Sequence, residues 1–347
     1  MVIRGMRDSE GQLQHGKRVI SQEVMEVMKK EPIEIPRALE QLPKNEIEKK
    51  RCVGRIMTHA LKCLALGFLT EGFEWLLPVI FSKSTDPLWP DPGASIEKRI
   101  EVEIYGAPVR TTLSMIVHKM VACSLVHPKL FILSPNVRIE RSDRARSGIH
   151  AYEFTQLDFE IRNATSQNVR RLVEKLLCML IIDVRRQMGD ELNYLGRFPS
   201  LTVPMIPFKV YNAEELKKTY GNEWETAIAS EIKNPVWVTN IQREFYDFED
   251  FETGEWDNYD LVLPGYGEVL SGARREWEYS KLAKKMERDG VRKENYKVLL
   301  KLAKEMKLKP SAGAGIGIER LVSWITGAKH IGETQLFPKI PGIVYEL

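Results

Sequence analysis

The spacing of apolar residues predicts helical blocks separated by runs of strands. Apolar residues recur about once per helical turn over residues 46–69 and 167–187, and helices are also predicted over 213–232, 277–289 and 294–307. Strand-like alternation or short apolar runs cover 73–81, 100–105, 129–139, 151–162, 236–250 and 258–271. Because the strands do not alternate regularly with helices, the pattern predicts an α+β protein with an antiparallel sheet.

The first part of the chain differs from the rest. Residues 1–45 are polar and weakly patterned, and prolines in the EPIEIPRALEQLP segment make one long helix there unfavourable. We therefore expect an N-terminal arm over 1–45 and a single catalytic domain over 46–347.

Composition is that of an ordinary soluble protein, with 43% hydrophobic and 29% charged residues among 347. The net charge of +3 gives no general argument for nucleic-acid binding, although it allows a local basic face. The four cysteines form no CxxC pair, so we expect buried thiols in a reducing compartment. No signal-like N-terminus is visible, and the most apolar run, 176–184, is too short to cross a bilayer. These features predict a cytoplasmic protein.

One segment, GEVLSGARRE at 267–276, combines two kinds of ligand chemistry. Glu268 and Ser271 offer hard oxygens for a divalent cation, and the Arg274–Arg275 pair offers a guanidinium for a carboxylate. This combination suits an enzyme that joins a carboxylic acid to a magnesium nucleotide.

A glycine-rich segment, SAGAGIGIERLVSW at 311–324, predicts a strand that leads into a helix. It is neither a Walker loop nor a dinucleotide fingerprint, since it lacks Gly-Lys-Ser/Thr and has Ile318 where the fingerprint needs glycine. Tight strand–helix packing explains the glycines equally well. Arg320, in the first helical turn, favours phosphate binding.

The segment 136–161 predicts two strands around a loop rich in Arg and Ser. Arg138 and Glu140 share one strand face, and Phe154 shares parity with Asp158 and Glu160. A solvated basic hairpin is one explanation. The other is a nucleotide site, in which Arg138 neutralises a phosphate and Phe154 stacks on a purine, worth about 1–3 kcal/mol.

Together these segments resemble the signature motifs of class II aminoacyl-tRNA synthetases, in their known order. GFEWLLPVI, with Pro78, resembles motif 1, VRIER…YEFTQLDFE resembles motif 2, and GAGIGIERL resembles motif 3. GEVLSGARRE and the closing LFPK are similar to segments of the aspartyl and asparaginyl subgroup. The resemblance spans about residues 47–345 and implies an antiparallel sheet flanked by helices, in a homodimer whose interface includes residues 50–80.

The resemblance implies roles for individual residues. Arg138 would bind the α-phosphate and Arg320 the γ-phosphate, as the two catalytic arginines, and Phe154 and Arg320 would enclose adenine. The implied ATP-binding set is Arg138, Glu140, His150, Phe154, Glu268 and Arg320. Glu268 and Ser271 would bind Mg²⁺, with Asp260 as a further carboxylate that is offset by one residue.

The residues that bind the amino-acid substrate are implied by SMIVHKM at 114–120, which resembles the aspartyl-enzyme segment SPQLYKQ. The implied substrate-binding set is Ser114, Lys119, Asp158 and Arg275. Asp158 would lie near the substrate ammonium. Lys119 and Arg275 predict a substrate with two carboxylates, such as aspartate, because each charge-assisted hydrogen bond contributes roughly 1.5–3 kcal/mol. A plain surface lysine at 119 is the alternative.

Several positions depart from the subgroup's pattern. Ile116 stands where a glutamine binds the substrate ammonium, Ile149 where an arginine precedes the motif 2 loop histidine, and Ser311 where a histidine precedes motif 3. Arg144 or Arg146 would replace the loop arginine. The first 45 residues are also too few for the OB barrel that binds the anticodon in this subgroup.

These features resemble the archaeal asparagine synthetases related to aspartyl- and asparaginyl-tRNA synthetases. Such an enzyme would convert ATP, aspartate and ammonia to asparagine, AMP and pyrophosphate through a β-aspartyl-adenylate, with tRNA an unexpected partner. The alternative is an aspartyl- or asparaginyl-tRNA synthetase without its anticodon domain. An inactive regulatory paralogue is the third possibility, which the retained Arg138, Glu268 and Arg320 disfavour.

Overall fold

An eight-stranded mixed sheet lies at the centre of the computed structural model, which describes residues 33–86 and 96–346. The strands are β1 Glu74–Leu76, β2 Phe81–Ser82, β3 Ile96–Lys98, β4 Glu101–Ile104, β5 Ala107–Thr111, β6 Lys129–Val137, β7 Ile139–Glu140, β8 Glu153–Arg162, β9 Lys209–Asn212, β10 Val236–Thr239, β11 Asn258–Leu263, β12 Gly267–Arg274 and β13 Ser311–Gly317. The helices are α1 Lys44–Thr70, α2 Ile116–Leu125, α3 Ser166–Gln187, α4 Gly189–Tyr194, α5 Ala213–Tyr220, α6 Trp224–Glu231, α7 Tyr279–Arg288, α8 Lys297–Lys304 and α9 Ile318–Thr326.

The order of strands in the main sheet is β1-β6-β8-β13-β12-β11-β10-β9. The pairs from β6 to β10 are antiparallel, whereas β1 and β9 pair in parallel with their neighbours at the two edges. The predicted α+β class is confirmed, and the parallel edge strands are the feature that the sequence pattern did not predict.

One face of this sheet forms the main hydrophobic core with α1, α3 and α9. Phe68 of α1 stacks on Phe131 of β6 at 5.4 Å and contacts Phe159 of β8 at 4.9 Å between ring centroids. Thr165 caps α3 by accepting a hydrogen bond from the backbone N–H of Asn168, which fixes where that helix begins. The opposite sheet face is thereby left for polar residues.

Helix α1 is long and apolar enough, by length and composition alone, to cross a membrane. The run at 176–184 is therefore not the only apolar segment to consider as a possible membrane span. Ile56, Leu64 and Phe68 of α1 are buried in the core, which is the ordinary situation of a central helix in a globular protein.

Three sequence predictions were wrong in detail. The helix over 213–232 is two helices, α5 and α6, and the strand over 258–271 is a hairpin, β11 and β12, with Gly265 at φ +67° in its turn. The strand predicted over 236–250 ends at Thr239, because Asn240 takes a left-handed conformation with φ +62°. Residues 241–250 are irregular and enter the site described below.

The described part of the predicted arm, residues 33–43, lies against the domain. Ala38 is buried, and the Tyr345 hydroxyl donates to the carbonyl of Pro36 at 2.5 Å. Residues 1–32 of the arm lie outside the described residues. All four cysteines are free thiols, with Cys52 and Cys123 buried and Cys63 and Cys178 half-buried, so the expectation of buried thiols holds for two of them.

Candidate active site

The polar face of the sheet is built by period-two alternation on β8, β13 and β12. Gln156, Asp158 and Glu160 of β8 point to this face, and their register partners on β13 are Gly317, Gly315 and Gly313. A Cβ at Gly315 would meet Gln156 Nε2 at 2.9 Å and Asp158 Oδ1 at 3.1 Å. Gly313 and Gly315 thus leave space for polar side chains of the neighbouring strand, a role that the sequence analysis did not predict, whereas a Cβ at Gly317 would meet only Arg320 of the following helix.

Above this face lies a cavity of about 270 Å³. Among the residues that the structure describes, eleven of the twelve predicted site residues line it: Ser114, Lys119, Arg138, Glu140, His150, Phe154, Asp158, Glu268, Ser271, Arg275 and Arg320. Asp260 does not line the cavity, but β11 places it directly opposite Ser271 of β12. The predicted residues are therefore brought together from five segments of the chain.

At the nucleotide end, the Arg138 guanidinium lies over the Phe154 ring, 5.1 Å from its centroid. Nε and Nη2 of Arg138 both donate to the carbonyl of Leu113, at 3.1 and 3.0 Å, which fixes the plane of the guanidinium. Arg138, rather than Arg320, therefore covers the phenyl ring that was predicted to stack on adenine.

Burial raises the pKa of the Glu140 carboxyl above its usual range, while Arg138, Arg320 and Arg144 oppose the rise. The pKa of His150 is lowered to about 3, first by burial and then by the charges of Arg320, Arg144 and Arg138. His150 is therefore neutral at ordinary pH, and its Nδ1 is 2.7 Å from the Ser147 hydroxyl.

Arg144 and Arg146 both lie in the short 3₁₀ turn Ser142–Arg146 and are exposed. The charge of Arg144 acts on both Glu140 and His150, whereas neither group shows such an influence from Arg146. Neither arginine lines the cavity, and of the two candidates to replace the loop arginine, Arg144 is the one whose charge acts on the cavity-lining Glu140 and His150.

The predicted metal ligands are held by arginines. Arg243 donates to Asp260 Oδ2 and, at 2.5 Å, to the Ser271 hydroxyl, while Arg320 Nη1 donates to Glu268 Oε2 at 2.7 Å. The pKa of Asp260 is raised to about 6, mainly by burial, with Arg243 opposing and Glu268 adding to the rise. Asp260 Oδ1 is buried without a hydrogen-bond partner among the described residues. This orphaned oxygen and the hard donor set fit Mg²⁺.

At the other end of the cavity, Lys119 is only 2% exposed, so the alternative of a plain surface lysine is wrong. Its Nζ donates to Asp158 Oδ1 at 2.8 Å and to the carbonyl of Ala314 at 3.0 Å, and it lies 3.9 Å from Glu160 Oε2. Asp158 Oδ2 is buried without a hydrogen-bond partner in the described ranges.

Arg275 is 4% exposed and is held at three nitrogens. It donates through Nη1 to Asp247 Oδ1 at 2.8 Å, through Nε to Glu160 Oε1 at 3.3 Å, and through Nη2 to the carbonyl of Gly313 at 3.0 Å. A guanidinium has five N–H donors, so two stay available for a carboxylate. The adjacent Arg274 lies instead over the Phe248 and Trp277 rings.

The departures from the subgroup's pattern have visible consequences. Ile116 is buried at the start of α2 and lines the cavity, and its side chain offers no acceptor to an ammonium group. Ser311, another departure, donates to Glu160 Oε1 at 2.8 Å. Ser114, which keeps the subgroup's pattern, donates to Asp86 Oδ2 at 2.8 Å.

Sequence reasoning missed a group of cavity-lining residues: Asp86, Arg243, Glu244, Tyr246 and Asp247. Four of them lie in the irregular segment that was predicted as a strand. The signal that could have located them is the REFYD run itself, in which charged residues flank two aromatics and break strand alternation. The pKa of Glu244 is raised to about 8 by burial and by the charges of Asp86 and Asp247, with Arg243 opposing.

Chemically, the arrangement puts cations at both ends of one cavity. Arginines at one end suit phosphate oxygens, and a buried lysine and arginine at the other suit a small anionic substrate. Such a cavity can align a carboxylate with the α-phosphate of a nucleotide.

Known proteins resemble this chain in sequence and in fold. The family described as tRNA synthetases class II (D, K and N) matches residues 111–341. Asparagine–tRNA ligase from Chloroflexus aurantiacus is 31% identical over 236 residues, which are 61% of this chain and 53% of that protein. The chain thus spans about half the length of the curated relatives it matches.

Solved structures share the fold at lower identity. Asparaginyl-tRNA synthetase from Pyrococcus horikoshii, complexed with asparaginyl-adenylate, matches with a TM-score of 0.76 at 20% identity, covering 90% of this chain and 76% of that one. The asparaginyl-tRNA synthetase from Entamoeba histolytica, also with asparaginyl-adenylate, gives 0.74 at 22% identity, covering 85% and 68%. The aspartyl-tRNA synthetase of the same organism gives 0.66 at 20%, covering 84% and 59%.

Proposed function

The chain belongs to the class II tRNA synthetase family (D, K and N), and from this premise we propose that it is an AMP-forming ligase that adenylates a carboxylate of aspartate. The family is one of ATP-dependent ligases. The observation that carries the proposal is the pair of buried cations, Lys119 and Arg275, in the same cavity as Arg138 and Arg320. A substrate with two carboxylates can meet these cations and still present one carboxylate to ATP.

In this proposal Arg138 and Arg320 bind the triphosphate and stabilise the charge that develops at the α-phosphate. Phe154 and Glu140 bind the adenine. Asp260, Glu268 and Ser271 would hold Mg²⁺, which would supply Lewis-acid polarisation of the phosphate oxygens. Most of the rate enhancement is then positioning and electrostatics, as in phosphoryl transfer generally.

Transfer of the acyl group to tRNA is the acceptor step that the comparisons favour. The matched family and the curated relatives are named as tRNA ligases. The sequence analysis did not expect tRNA as a partner, and the comparisons do not support that expectation. We propose tRNA as the first acceptor to test.

Ammonia is the second candidate acceptor, and one feature of the site favours it. The residue at the ammonium-binding position is Ile116, and carboxylates from the REFYD segment line the same cavity. In this version, a β-aspartyl-adenylate forms and ammonia releases asparagine and AMP, as in the archaeal asparagine synthetases that the sequence resembles.

A single reaction series tests the proposal. The protein is incubated with ATP, Mg²⁺ and aspartate, and exchange of pyrophosphate into ATP is measured, with asparagine as the competing substrate. AMP is then measured after adding tRNA, ammonium or both. No exchange with either amino acid would refute adenylation. AMP release that needs tRNA supports the first acceptor, and release with asparagine formation on ammonium alone supports the second.

Substrate choice is tested at Lys119. Lys119→Met is expected to raise the KM for aspartate roughly tenfold or more, with a much smaller effect on ATP, since a charge-assisted hydrogen bond is worth about 1.5–3 kcal/mol. Lys129→Met, whose ammonium donates to the carbonyl of Glu71 on the surface, is the matched control. Equal losses for aspartate and ATP would contradict the assignment.

A further inference from the structure

A cluster of metal-ligating side chains lies between α1 and α3, the helices that cover the sheet face opposite the cavity. His59 Nε2 is 2.8 Å from Asp183 Oδ2, and the Cys63 thiol donates to the same oxygen at 3.1 Å. The three ligand atoms all lie within 4.8 Å of one another. Among the residues that the structure describes, this is the one group of three His, Cys, Asp or Glu side chains arranged closely enough to share an ion.

Two packed helices hold these side chains in place. His59 and Cys63 are four residues apart on α1 and so share one face, the spacing at which a helix presents two ligands to one metal ion. Asp183 comes from α3, which approaches α1 closely at Gly67, where an added Cβ would meet Leu176 Cδ2 at 2.6 Å. Because rigid elements carry all three ligands, binding an ion needs little reordering of the chain.

The distances suit a small tetrahedral ion. Around zinc, a nitrogen and an oxygen ligand lie about 3.3 Å apart, and a sulfur and an oxygen ligand about 3.5 Å apart. The observed separations of 2.8 and 3.1 Å are each about 0.5 Å shorter than these values, which small side-chain rotations supply. The side chains of His59 and Asp183 are 14% and 28% exposed, so an ion can enter and water can take the fourth position.

The donor set favours a transition metal over Mg²⁺ or Ca²⁺, which prefer oxygen ligands. A neutral His59, a Cys63 thiolate and the Asp183 carboxylate together carry two negative charges, which a divalent ion compensates. Arg186 Nη2 donates to Asp183 Oδ1 at 2.5 Å. This outer hydrogen bond orients the carboxylate and leaves Oδ2 directed at the other two ligands.

A catalytic cysteine does not fit this place. A nucleophilic thiol needs a lowered pKa, whereas the pKa of Cys63 is raised to about 12, first by burial and then by the hydrogen bond and charge of Asp183. A metal ion would replace the thiol proton and separate the two negative groups. A link between the helices made of hydrogen bonds alone is the alternative.

We propose that His59, Cys63 and Asp183 form a binding site for Zn²⁺ or a chemically similar divalent ion, which links α1 to α3. All three ligands come from one chain, so the site is complete in each protomer. The site lies across the sheet from Arg138 and Lys119, so it does not depend on the proposed adenylation. The bound ion stabilises the domain and takes no part in the reaction.

The test titrates the full chain, reduced and freed of metal, with Co²⁺ and records its absorption. Excess Mg²⁺ is present throughout to occupy sites made of oxygen ligands. Cobalt bound to a thiolate gives a sulfur-to-metal charge-transfer band, which a site without sulfur does not produce. We expect this band to saturate at one ion per chain. Added Zn²⁺ should abolish it, because zinc loses no ligand-field energy in a tetrahedral site.

The decisive variant is Cys63→Ser, whose hydroxyl can still donate to Asp183 but supplies no thiolate. It is expected to lose the band and to bind Zn²⁺ at least about 10-fold more weakly, since losing an outer partner alone costs 10–100-fold. Cys178→Ser is the matched control, because Cys178 is a half-buried thiol of α3 that donates to the carbonyl of Pro204 at 3.3 Å. This control should keep the band.

Stability gives a second measurement. Zn²⁺ at about 100 times its Kd should raise the melting temperature by roughly 3–4 °C in the unaltered protein and in Cys178→Ser. The rise should be clearly smaller in Cys63→Ser. A rise of the same size in all three proteins would mean that the ion binds elsewhere.

The proposal is overturned if no thiolate band appears, if the band survives Cys63→Ser, or if Cys178→Ser loses it equally. Should Cys63→Ser fail to fold, Asp183→Asn replaces it, and unchanged cobalt affinity in that variant would contradict the site. Aspartate-dependent pyrophosphate exchange is measured in parallel on the unaltered protein. Its absence would refute adenylation alone, because metal binding is measured without turnover.

Discussion

At the scale of single residues, arginines compensate the carboxylates of the nucleotide end before any nucleotide is bound. Arg243 holds Asp260 and Ser271, and Arg320 holds Glu268. Leaving the buried Asp260 carboxylate without a partner would destabilise the fold, so its ion pair with Arg243 stabilises the protein. A bound magnesium nucleotide would therefore replace the contacts of these carboxylates with Arg243 and Arg320.

Arg138 is the residue for which shape matters as much as charge. Its planar guanidinium both lies over Phe154 and donates through two nitrogens to Leu113 O, a geometry that lysine cannot reproduce. We expect Arg138→Lys to lower kcat/KM for ATP in pyrophosphate exchange about 100-fold, which corresponds to roughly 2.7 kcal/mol of lost transition-state stabilisation.

Arg141→Lys is the control for this variant, because Arg141 is exposed and its hydrogen bond goes to the exposed Asp143. Thermal melting of both variants is expected to match the unaltered protein. A drop of less than about threefold in Arg138→Lys would contradict its assigned position at the phosphate, since a single charged hydrogen bond already exceeds that value.

Glu244 gives the molecule a specific pH dependence. Its pKa is raised to about 8, first by burial and then by Asp86 and Asp247. The titratable and charged groups around it are Asp86, Asp247, Arg243, Tyr246 and Tyr296. Between its unfolded pKa near 4.5 and about 8, the folded state binds the proton and the unfolded state does not, so stability falls as pH rises through this window.

We therefore expect the melting temperature to fall between pH 6 and pH 8.5, and part of this fall to be absent in Glu244→Gln. Differential scanning calorimetry of both proteins at the two pH values measures the difference. If the two proteins lose the same stability across this range, Glu244 does not titrate within it.

The sequence predicted those site residues that belong to short local motifs. Arg138, Phe154, Glu268 and Arg320 are recognisable because each occupies a fixed place in a motif. Glu244 and Asp86 are not, since their place in the cavity depends on where irregular segments fold against the sheet. The pairing of Lys119 with Asp158 joins residues 39 positions apart, and no local pattern encodes it.

At the scale of elements, Gly313 and Gly315 of β13 leave the space that side chains of the neighbouring strand β8 occupy. A Cβ at Gly313 would collide with the carbonyl oxygen of Phe159 and with the Glu160 side chain, and neither can move without disturbing the centre of the sheet. We expect Gly313→Ala to lower the free energy of unfolding by roughly 3 kcal/mol or more, the upper end of overpacking effects.

Chemical denaturation measures this change, with Gly54→Ala as the matched substitution. Gly54 lies in α1 with nothing within 4 Å of an added Cβ, so alanine is expected to stabilise there by about 0.5–1 kcal/mol. Equal effects at both glycines would show that crowding across β13 does not matter.

Element prediction succeeded where one periodicity persists over many residues. α1 and α3 have a single buried stripe, and their observed bounds agree with the predicted ones within two residues at each end. It failed after Thr239, where Phe245 and Tyr246 are apolar because they pack against α7 and α8 rather than because they alternate in a strand. Apolar character favours burial but does not identify the element, which only the spacing of the apolar residues indicates.

At the scale of the whole molecule, the described residues between 66 and 81 present a concentrated apolar surface. Its exposed members are Leu66, Leu69, Trp75, Leu77, Ile80 and Phe81. Exposed apolar patches of this kind mark interaction surfaces in soluble proteins. The patch falls in the segment predicted from the resemblance to form a two-fold interface, so a homodimer remains our expectation.

Leu77, which is 88% exposed, tests that expectation most directly. We expect the unaltered protein to sediment at twice the chain mass of 40.0 kDa, and Leu77→Asp to sediment as a monomer, because a charge buried in an apolar interface is not compensated. Val298→Asp, at an exposed position on α8, should leave the dimer intact. Sedimentation velocity at micromolar concentrations distinguishes these outcomes. A monomer before substitution, or a dimer that survives Leu77→Asp, would mean that this apolar surface is covered by something other than a second copy.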